Sequence, residues 1–330
     1  MLRSVCMIPL LGLVSCPLSA IVIASGDPNA QPAVVVYSDE VVNAIGQTVN
    51  LSGVVELETS DGLGCTGSLL PDGYSILTAA HCITSYYGSS VPSSVSVYFL
   101  GQSGSVEDTS TTYYVDPNWT GNSTVGGDLA VLRLQQAAPS SAARYSLYTG
   151  ISTTSPILLA GYGYSGTGTT GADSSTYGFG TLRQGQNRYD YTGDALGWSA
   201  NLLVGDFDNG TTTYNALGTT DSDIPDEVDL SFGDSGGPSF YDGEIIGVHD
   251  FIDCSMDADG NCLIPPSGHS YSTSDNSYFG QIFADTSVSA YASWIDSEEL
   301  QAPEPTSCSL VLLGLAVTGF LRSRTSRRPS

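Results

Sequence analysis

The stretch Gly-Asp-Ser-Gly-Gly-Pro at residues 233–238 governs how the rest of the chain is interpreted. Glycines on both sides of Ser235 let the backbone turn sharply, which exposes the serine hydroxyl and directs successive N–H groups at one point. A hydroxyl beside converging N–H donors is the arrangement that acyl transfer through a serine requires. Taken alone, the same letters also fit an ordinary surface turn.

Two further motifs lie upstream of this serine. Residues 78–82 read Thr-Ala-Ala-His-Cys, and residues 128–132 read Asp-Leu-Ala-Val-Leu. An unperturbed imidazole titrates near neutral pH, and His81 is the natural base to take a proton from a serine hydroxyl. A carboxylate such as Asp128 can accept a hydrogen bond from the other ring nitrogen and stabilise the imidazolium. The apolar residues after Asp128 predict a strand that would bury this carboxylate.

The order His, Asp, Ser separates this chain from two of the three known triad orders. With these motifs the chain resembles the trypsin/chymotrypsin-like serine protease family over about 51–296. The resemblance implies an all-β fold of two six-stranded antiparallel β-barrels with a C-terminal helix. We place the first barrel at 51–143 and the second barrel with the helix at 144–298. Short strand-like runs between turn signals agree with this fold, and helical spacing of apolar residues predicts the helix at 287–297.

The resemblance also assigns roles to the motif residues. Ser235 would be the nucleophile, His81 the base and Asp128 its orienting acid in a secreted serine endopeptidase that works through an acyl-enzyme intermediate. The N–H groups of Gly233 and Ser235 would form the oxyanion hole. The alternative function is a catalytically silent, protease-like surface or matrix protein, against which the intact motifs argue. An esterase of the α/β-hydrolase type would need strands alternating with helices, and that alternation is missing.

Asp229 stands six residues before the serine, where trypsin-like enzymes carry the residue at the base of the specificity pocket. By this resemblance the enzyme would prefer Arg or Lys, although Asp229 also lies in a generally acidic loop. Ile252 would narrow the pocket and favour a small side chain instead. A slip of one residue in the count would place His249 beside the triad. The residues assigned to the pocket wall are Asp250, Phe251, Ile252 and Gly280.

Four of the seven cysteines lie in the body of the chain. An even number in an exported protein indicates disulfides. The resemblance implies a bridge between Cys65 and Cys82, which leaves Cys254 and Cys262 as a local pair. No pair has C-x-x-C spacing, so we expect no structural metal among them.

In the family, the residue at Asp234 pairs with a new N-terminus made by cleavage. The sequence offers no basic activation site, because no Arg or Lys lies between residues 4 and 132. Removal of a leader after residue 20 would expose Ile21-Val22, which resembles the family's mature start. Ile21 stands 60 residues before His81, farther than usual in the family, so this pairing stays open.

Both ends of the chain read as targeting segments. Residues 1–20 have a short positive start, an apolar run and small residues before the expected cleavage point, as secretory signals do. Lipid attachment at Cys16 is the alternative. Residues 21–50 would form an N-terminal extension of the protease, and residues 299–330 a linker and sorting tail.

The tail carries Pro-Glu-Pro at 303–305, a short apolar run at 309–321 and a basic end. It resembles the PEP-CTERM sorting tail of certain Gram-negative bacteria. The resemblance implies transient anchoring in the inner membrane, cleavage by an exosortase-type enzyme, and delivery to the cell surface, the biofilm matrix or the medium. The apolar run is shorter than the roughly 20 residues of a spanning helix.

The charge of the chain limits its partners. It holds 34 acidic and nine basic residues, all of the latter arginine, for a net charge of −25. Such a surface repels nucleic acid and anionic membranes. Protein or peptide substrates are what the family resemblance implies. No cofactor is expected to be required. Acidic loops at 206–210 and 257–261 could hold calcium, but neither has the distal glutamate of an EF-hand.

Overall fold

A computed structural model describes residues 21–23, 33–34, 40–42, 48–84, 91–101, 104–218, 224, 227–254 and 277–299. Most of the regular secondary structure of these residues consists of strands, as the sequence predicts. The strands of the N-terminal part and the first barrel are β1 (Val22–Ile23), β2 (Ala33–Val34), β3 (Glu40–Val42), β4 (Thr48–Asn50), β5 (Val54–Thr59), β6 (Gly64–Leu69), β7 (Ser75–Thr78), β8 (Val95–Gly101), β9 (Gly104–Val115) and β10 (Ala130–Leu134).

The remaining elements follow the first barrel in the chain. The strands are β11 (Pro156–Gly161), β12 (Gly166–Thr167), β13 (Gly171–Ala172), β14 (Arg183–Arg188), β15 (Tyr191–Thr192), β16 (Leu202–Asp206), β17 (Val228–Asp229), β18 (Pro238–Tyr241), β19 (Glu244–Cys254) and β20 (Gln281–Ser287). The helices are the 3-10 turns Ala80–Cys82, Ser123–Val125, Gly193–Leu196 and Val288–Ala290 and the α-helix α1 (Ala292–Glu299).

The first half is a closed six-stranded barrel in the order β10-β7-β6-β5-β8-β9. Its neighbouring strands pair antiparallel. Strand β5 shows which side chains enter the barrel, because buried Val55, Leu57 and Thr59 alternate with the more exposed Glu56 and Glu58. The apolar side chains therefore fill the barrel interior while the acids face out.

The second half is an eight-stranded sheet in the order β15-β16-β20-β19-β18-β11-β14-β2. Its two end strands do not pair with each other within the described residues. The sheet is therefore a curled half-barrel, where the sequence predicted a second six-stranded barrel. Buried apolar side chains of its own strands form a cluster, which includes Ile157, Leu159, Ile246 and Phe283.

Strand β1 joins this second half although it lies far from it in the chain. It pairs antiparallel with β17, with Val22 opposite Asp229, and parallel with β12. The side chains of Ile21 and Val22 are fully buried. Strands β3 and β4 pair antiparallel with each other, and in the chain they lie between β1 and the first barrel. This pair of strands accounts for part of the long interval that separates Ile21 from His81.

The C-terminal helix is shorter than the predicted 287–297. A 3-10 turn at 288–290 precedes α1, because the backbone of Tyr291 (φ −119°, ψ 6°) leaves the helical region. Ile295 of α1 is fully buried in the core shared with the first barrel. In the described part of the chain, no helix combines the length and hydropathy needed to cross a membrane.

Several predictions fall outside the described residues. They are the leader at 1–20, the acidic loop at 257–261, Cys262 and the tail beyond residue 299. They remain predictions, as does the boundary between residues 143 and 144.

Candidate active site

His81 is held in place from both sides. It sits in the 3-10 turn Ala80–Cys82 directly after β7, and its side chain is buried. The next residue, Cys82, forms a disulfide with Cys65 on β6, with an S–S distance of 2.04 Å. This bridge confirms the predicted pair. It fastens the turn that carries His81 to the wall of the first barrel.

The imidazole of His81 contacts the carboxylate of Asp128. Nδ1 of His81 lies 2.5 Å from Oδ2 of Asp128, and the His81 backbone N–H donates to Oδ1 at 2.8 Å. Burial of Asp128 would raise its pKa, but the charge and hydrogen bonds of His81 outweigh burial and leave the pKa below its ordinary value. Asp128 is therefore a carboxylate that orients His81 through Nδ1 and the backbone N–H.

The loop that carries Ser235 is fitted against the first barrel. The backbone N–H of Thr66 donates to the carbonyl of Ser235 at 2.9 Å, and the Thr66 hydroxyl donates to the carbonyl of Gly233 at 2.8 Å. Gly236 has φ +80°, and a Cβ there would lie 2.0 Å from Oγ1 of Thr78. Only glycine allows so close an approach to the end of β7, which leads directly to His81.

The backbone turns at Gly233, the residue assigned to the oxyanion hole. Gly233 has φ +95°, and a Cβ there would meet the ring of Phe179 at 2.6 Å. Among the described residues, no acceptor takes a hydrogen bond from the N–H of Gly233 or of Ser235. Two unpaired donors next to a half-buried serine can stabilise an oxyanion.

Asp234 is fully buried behind this loop. Its Oδ1 accepts from the N–H of Gly163 at 2.8 Å, and its Oδ2 accepts from the N–H of Ser231 at 2.9 Å. Burial raises the pKa of Asp234 to about 6, although the charges of His249 and Arg183 act in the opposite direction. A full positive charge at this site would stabilise the ionised carboxyl group.

Ile21 contacts the loop that binds Asp234. The hydroxyl of Ser165 donates to the carbonyl of Ile21 at 2.6 Å, and Ser165 lies two residues from Gly163, which binds Asp234. Ile21 is fully buried and has φ +60°. A buried isoleucine in this conformation marks a position that the surrounding structure constrains.

Asp229 is fully buried on β17. Its Oδ1 accepts from the N–H of Leu230 at 2.7 Å, and its Oδ2 has no partner among the described residues. Burial raises its pKa well above the ordinary value, and the nearby acids Asp234, Asp206 and Asp285 add to this shift. Such a carboxyl group keeps its proton unless a cation is brought next to it.

The structure separates the residues assigned to the pocket wall. The carboxyl group of Asp250 lies beside Asp128, the ring of Phe251 packs edge-on against Trp198, and Ile252 packs against the cluster that contains Ile21. Gly280 has φ +92°, and its N–H donates to the carbonyl of Phe207. Their part in substrate selection stays a prediction.

A buried polar network lies behind the serine loop, and the sequence analysis missed it. Nδ1 of His249 lies 3.1 Å from Oδ1 of Asp285, whose Oδ2 accepts from the hydroxyls of Tyr189 at 2.5 Å and Ser239 at 2.6 Å. All four side chains are fully buried. His249 therefore contacts Asp285, whereas the carboxyl group beside Asp128 is that of Asp250. Nothing in the sequence pairs residues so far apart.

The carboxylates of the acidic loop at 206–210 accept hydrogen bonds from backbone N–H groups. Oδ2 of Asp206 accepts from the N–H of Leu217 at 2.9 Å, and Oδ1 of Asp208 accepts from the N–H of Gly210. Burial raises the pKa of Asp206 to about 7. Calcium at this loop remains a prediction.

Comparison with known proteins gives the family and the fold. The sequence profile described as Trypsin matches residues 43–267, which is more than half of the chain. A search among curated proteins found no match. The solved structure of neuropsin, described as a serine protease expressed in the limbic system of mouse brain, is similar, with a TM-score of 0.52 and 17% identity. That match covers 75% of this chain and 94% of neuropsin, and it shows that the fold is chymotrypsin-like.

Proposed function

Because the chain belongs to the trypsin family, we propose that it is a secreted serine endopeptidase with the triad Ser235, His81 and Asp128. The observation that carries the proposal is the contact of 2.5 Å between His81 and Asp128, next to a serine loop with two unpaired N–H donors. A chain that had become a silent binding protein would be under no constraint to keep this arrangement.

The reaction proceeds in two halves. Oγ of Ser235 attacks the carbonyl carbon of the peptide while its proton passes to Nε2 of His81, and Asp128 stabilises the imidazolium. The carbonyl oxygen becomes an anion that accepts from the N–H groups of Gly233 and Ser235. His81 then donates the proton to the leaving nitrogen as the C–N bond breaks. Water deprotonated by His81 hydrolyses the ester on Ser235 and restores the enzyme.

A fluorophosphonate probe tests this proposal without knowledge of the substrate. The wild-type protein should become labelled at Ser235, as located by peptide mapping, and Ser235→Ala should not. Absence of label on a folded wild-type chain would favour the alternative of a protease-like binding protein.

We propose that Asp229 selects Arg or Lys before the scissile bond, because it is buried and one of its oxygens lacks a partner. Pairing of a cation with a poorly solvated carboxylate discriminates strongly. We expect Asp229→Ser to lose the preference for Arg and Lys in a peptide-library cleavage profile while it keeps fluorophosphonate labelling. Asp229→Asn is the isosteric control for charge. Wild-type enrichment of Ala, Val or Ser instead would mean that Ile252 closes the pocket to long side chains.

We also propose that the tail is a sorting signal that is separate from the folded enzyme. The reason is the order of Pro-Glu-Pro at 303–305, the apolar run and the basic end. Deletion of 303–330 should leave the rate of fluorophosphonate labelling unchanged and redistribute the protein between membrane and medium, as measured by cell fractionation. A truncated chain that fails to fold would instead place the tail in the core.

A further inference from the structure

The carboxyl group of Asp250 is enclosed behind the triad. Asp250 is 2% exposed, and one ligand-type atom each of His81, Asp128 and Asp250 lie within 4.8 Å of one another. The hydroxyl of Thr286 donates to Oδ2 of Asp250 at 2.9 Å. Its Oδ1 meets no donor at full hydrogen-bond geometry among the described residues, although the hydroxyl of Ser123 lies near enough to lower the pKa of Asp250. Two acidic side chains thus share a space that solvent does not reach.

Two ionised carboxylates in such a space would repel each other strongly. In a buried space water screens this repulsion only weakly. His81 offers one positive charge only when it is protonated, and it already contacts Asp128. The two acids can instead share one proton, which turns the repulsion into a hydrogen bond between an acid and a carboxylate.

We propose that Asp250 is a positioning residue that keeps its proton at neutral pH and donates it to the carboxylate of Asp128. Oδ2 of Asp250 still accepts from Thr286, so the carboxyl group is fixed at both ends. Because Asp250 is neutral, Asp128 is the only charged carboxylate that faces His81. Asp250 acts on the reaction through Asp128, and this inference rests on the proposed triad.

The surroundings of Asp250 support the location of the proton. From the first half of the chain it faces Asp128, His81 and the hydroxyl of Ser123, and from β20 it faces Thr286; the two hydroxyls act to lower its pKa. From the turn before α1 it is near Tyr291, whose pKa it helps to raise. Burial first, and then the charge of Asp128, hold the pKa of Asp250 well above its ordinary value. His81 is the one basic side chain in this set, and its ring already contacts Asp128.

The test compares Asp250→Asn with Asp250→Ala. The asparagine amide donates to Asp128 and accepts from Thr286 as the protonated acid does, whereas alanine does neither. We expect Asp250→Asn to be labelled by a fluorophosphonate within about threefold of the wild-type rate, and Asp250→Ala at least about tenfold more slowly. Asp61→Asn, in an exposed turn, is the matched control. A loss in Asp250→Asn as large as in Asp250→Ala would show that an ionised Asp250 is needed and would overturn the proposal.

A second readout does not depend on activity. An aspartate with a raised pKa in the folded state favours the folded chain most at low pH, and this stability is lost as the pH rises from about 4 toward the folded-state pKa. Asparagine does not titrate. The melting temperature of Asp250→Asn minus that of wild type should therefore increase between about pH 4 and pH 7. A difference that does not change with pH would refute the shared proton, even if the wild-type chain proved inactive toward the probe.

Discussion

Ser235→Ala is expected to lower peptidase turnover by several orders of magnitude, on the order of 10⁶ for a complete triad. The variant lacks the nucleophile, so no acyl-enzyme can form and only binding and the oxyanion donors remain to assist direct attack by water. Turnover of a fluorescently labelled generic protein substrate measures the effect. The thermal melting curve checks that the variant is folded.

The same prediction has a second part, because triad residues act as a unit. His81→Ala and Asp128→Ala should each be severely impaired, and Ser235→Ala combined with His81→Ala should be hardly worse than Ser235→Ala alone. Additive losses would mean that the residues act independently. Unchanged turnover in Ser235→Ala would end the assignment of a serine mechanism.

Local sequence signals predicted the parts of this site that depend on local geometry. The glycines at 233 and 236 adopt the positive φ angles that the turn around Ser235 requires. The apolar run after Asp128 forms strand β10, and Asp128 itself is buried at its start. Alternating burial along strands such as β5 places apolar side chains inside the closed first barrel. Each of these features can be read from a few neighbouring residues.

The features that the sequence could not predict depend on register and on distant contacts. The pairing of β19 with β20 shifts at a bulge between His249 and Phe251. One additional residue in a strand decides which side each following side chain faces, and no local pattern announces it. Counting along the strand placed Asp250 in the pocket wall, while the bulge turns its carboxyl group toward Asp128. The network of His249 and Asp285 was missed for the same reason.

Release of the N-terminus at Ile21 is expected to raise the rate of fluorophosphonate labelling by about 10² or more. Asp234 lies in a buried site where its pKa is raised to about 6. The charges of His249 and Arg183 therefore offset only part of the cost of burying its ionised carboxylate. The α-ammonium of Ile21 would supply a full positive charge beside it. Breaking a buried ion pair costs about 3–5 kcal/mol, which corresponds to a factor of at least 10². Asp234 lies between Gly233 and Ser235 in the chain, so we expect the pairing of its carboxylate with a positive charge to set the geometry of the two oxyanion donors.

The comparison needs two chains that differ by one residue. One begins at Ile21 and the other keeps Ala20, both produced by removal of a fused N-terminal partner. Asp234→Asn should be labelled slowly in both forms, since its neutral amide cannot form an ion pair with the α-ammonium group. Equal labelling by the chain that keeps Ala20 would contradict the prediction. It would mean that the buried guanidinium of Arg183, which also interacts with Asp234, suffices.

The composition of the chain allows the same ion pair to be tested by chemistry. The sequence contains no lysine, so the α-amino group is the only amine that an acetylating reagent can modify. Pairing with Asp234 would keep this group protonated and buried, so we expect acetylation of the folded chain to be slow and that of the unfolded chain to be fast, as followed by mass spectrometry. An α-amino group ordinarily has a pKa near 8, and the pair raises it. Activity should therefore persist at pH 8 and fall only as the pH rises through that higher value. Rapid acetylation of the folded chain without loss of labelling would show that the N-terminus is in solvent and that Asp234 has another partner.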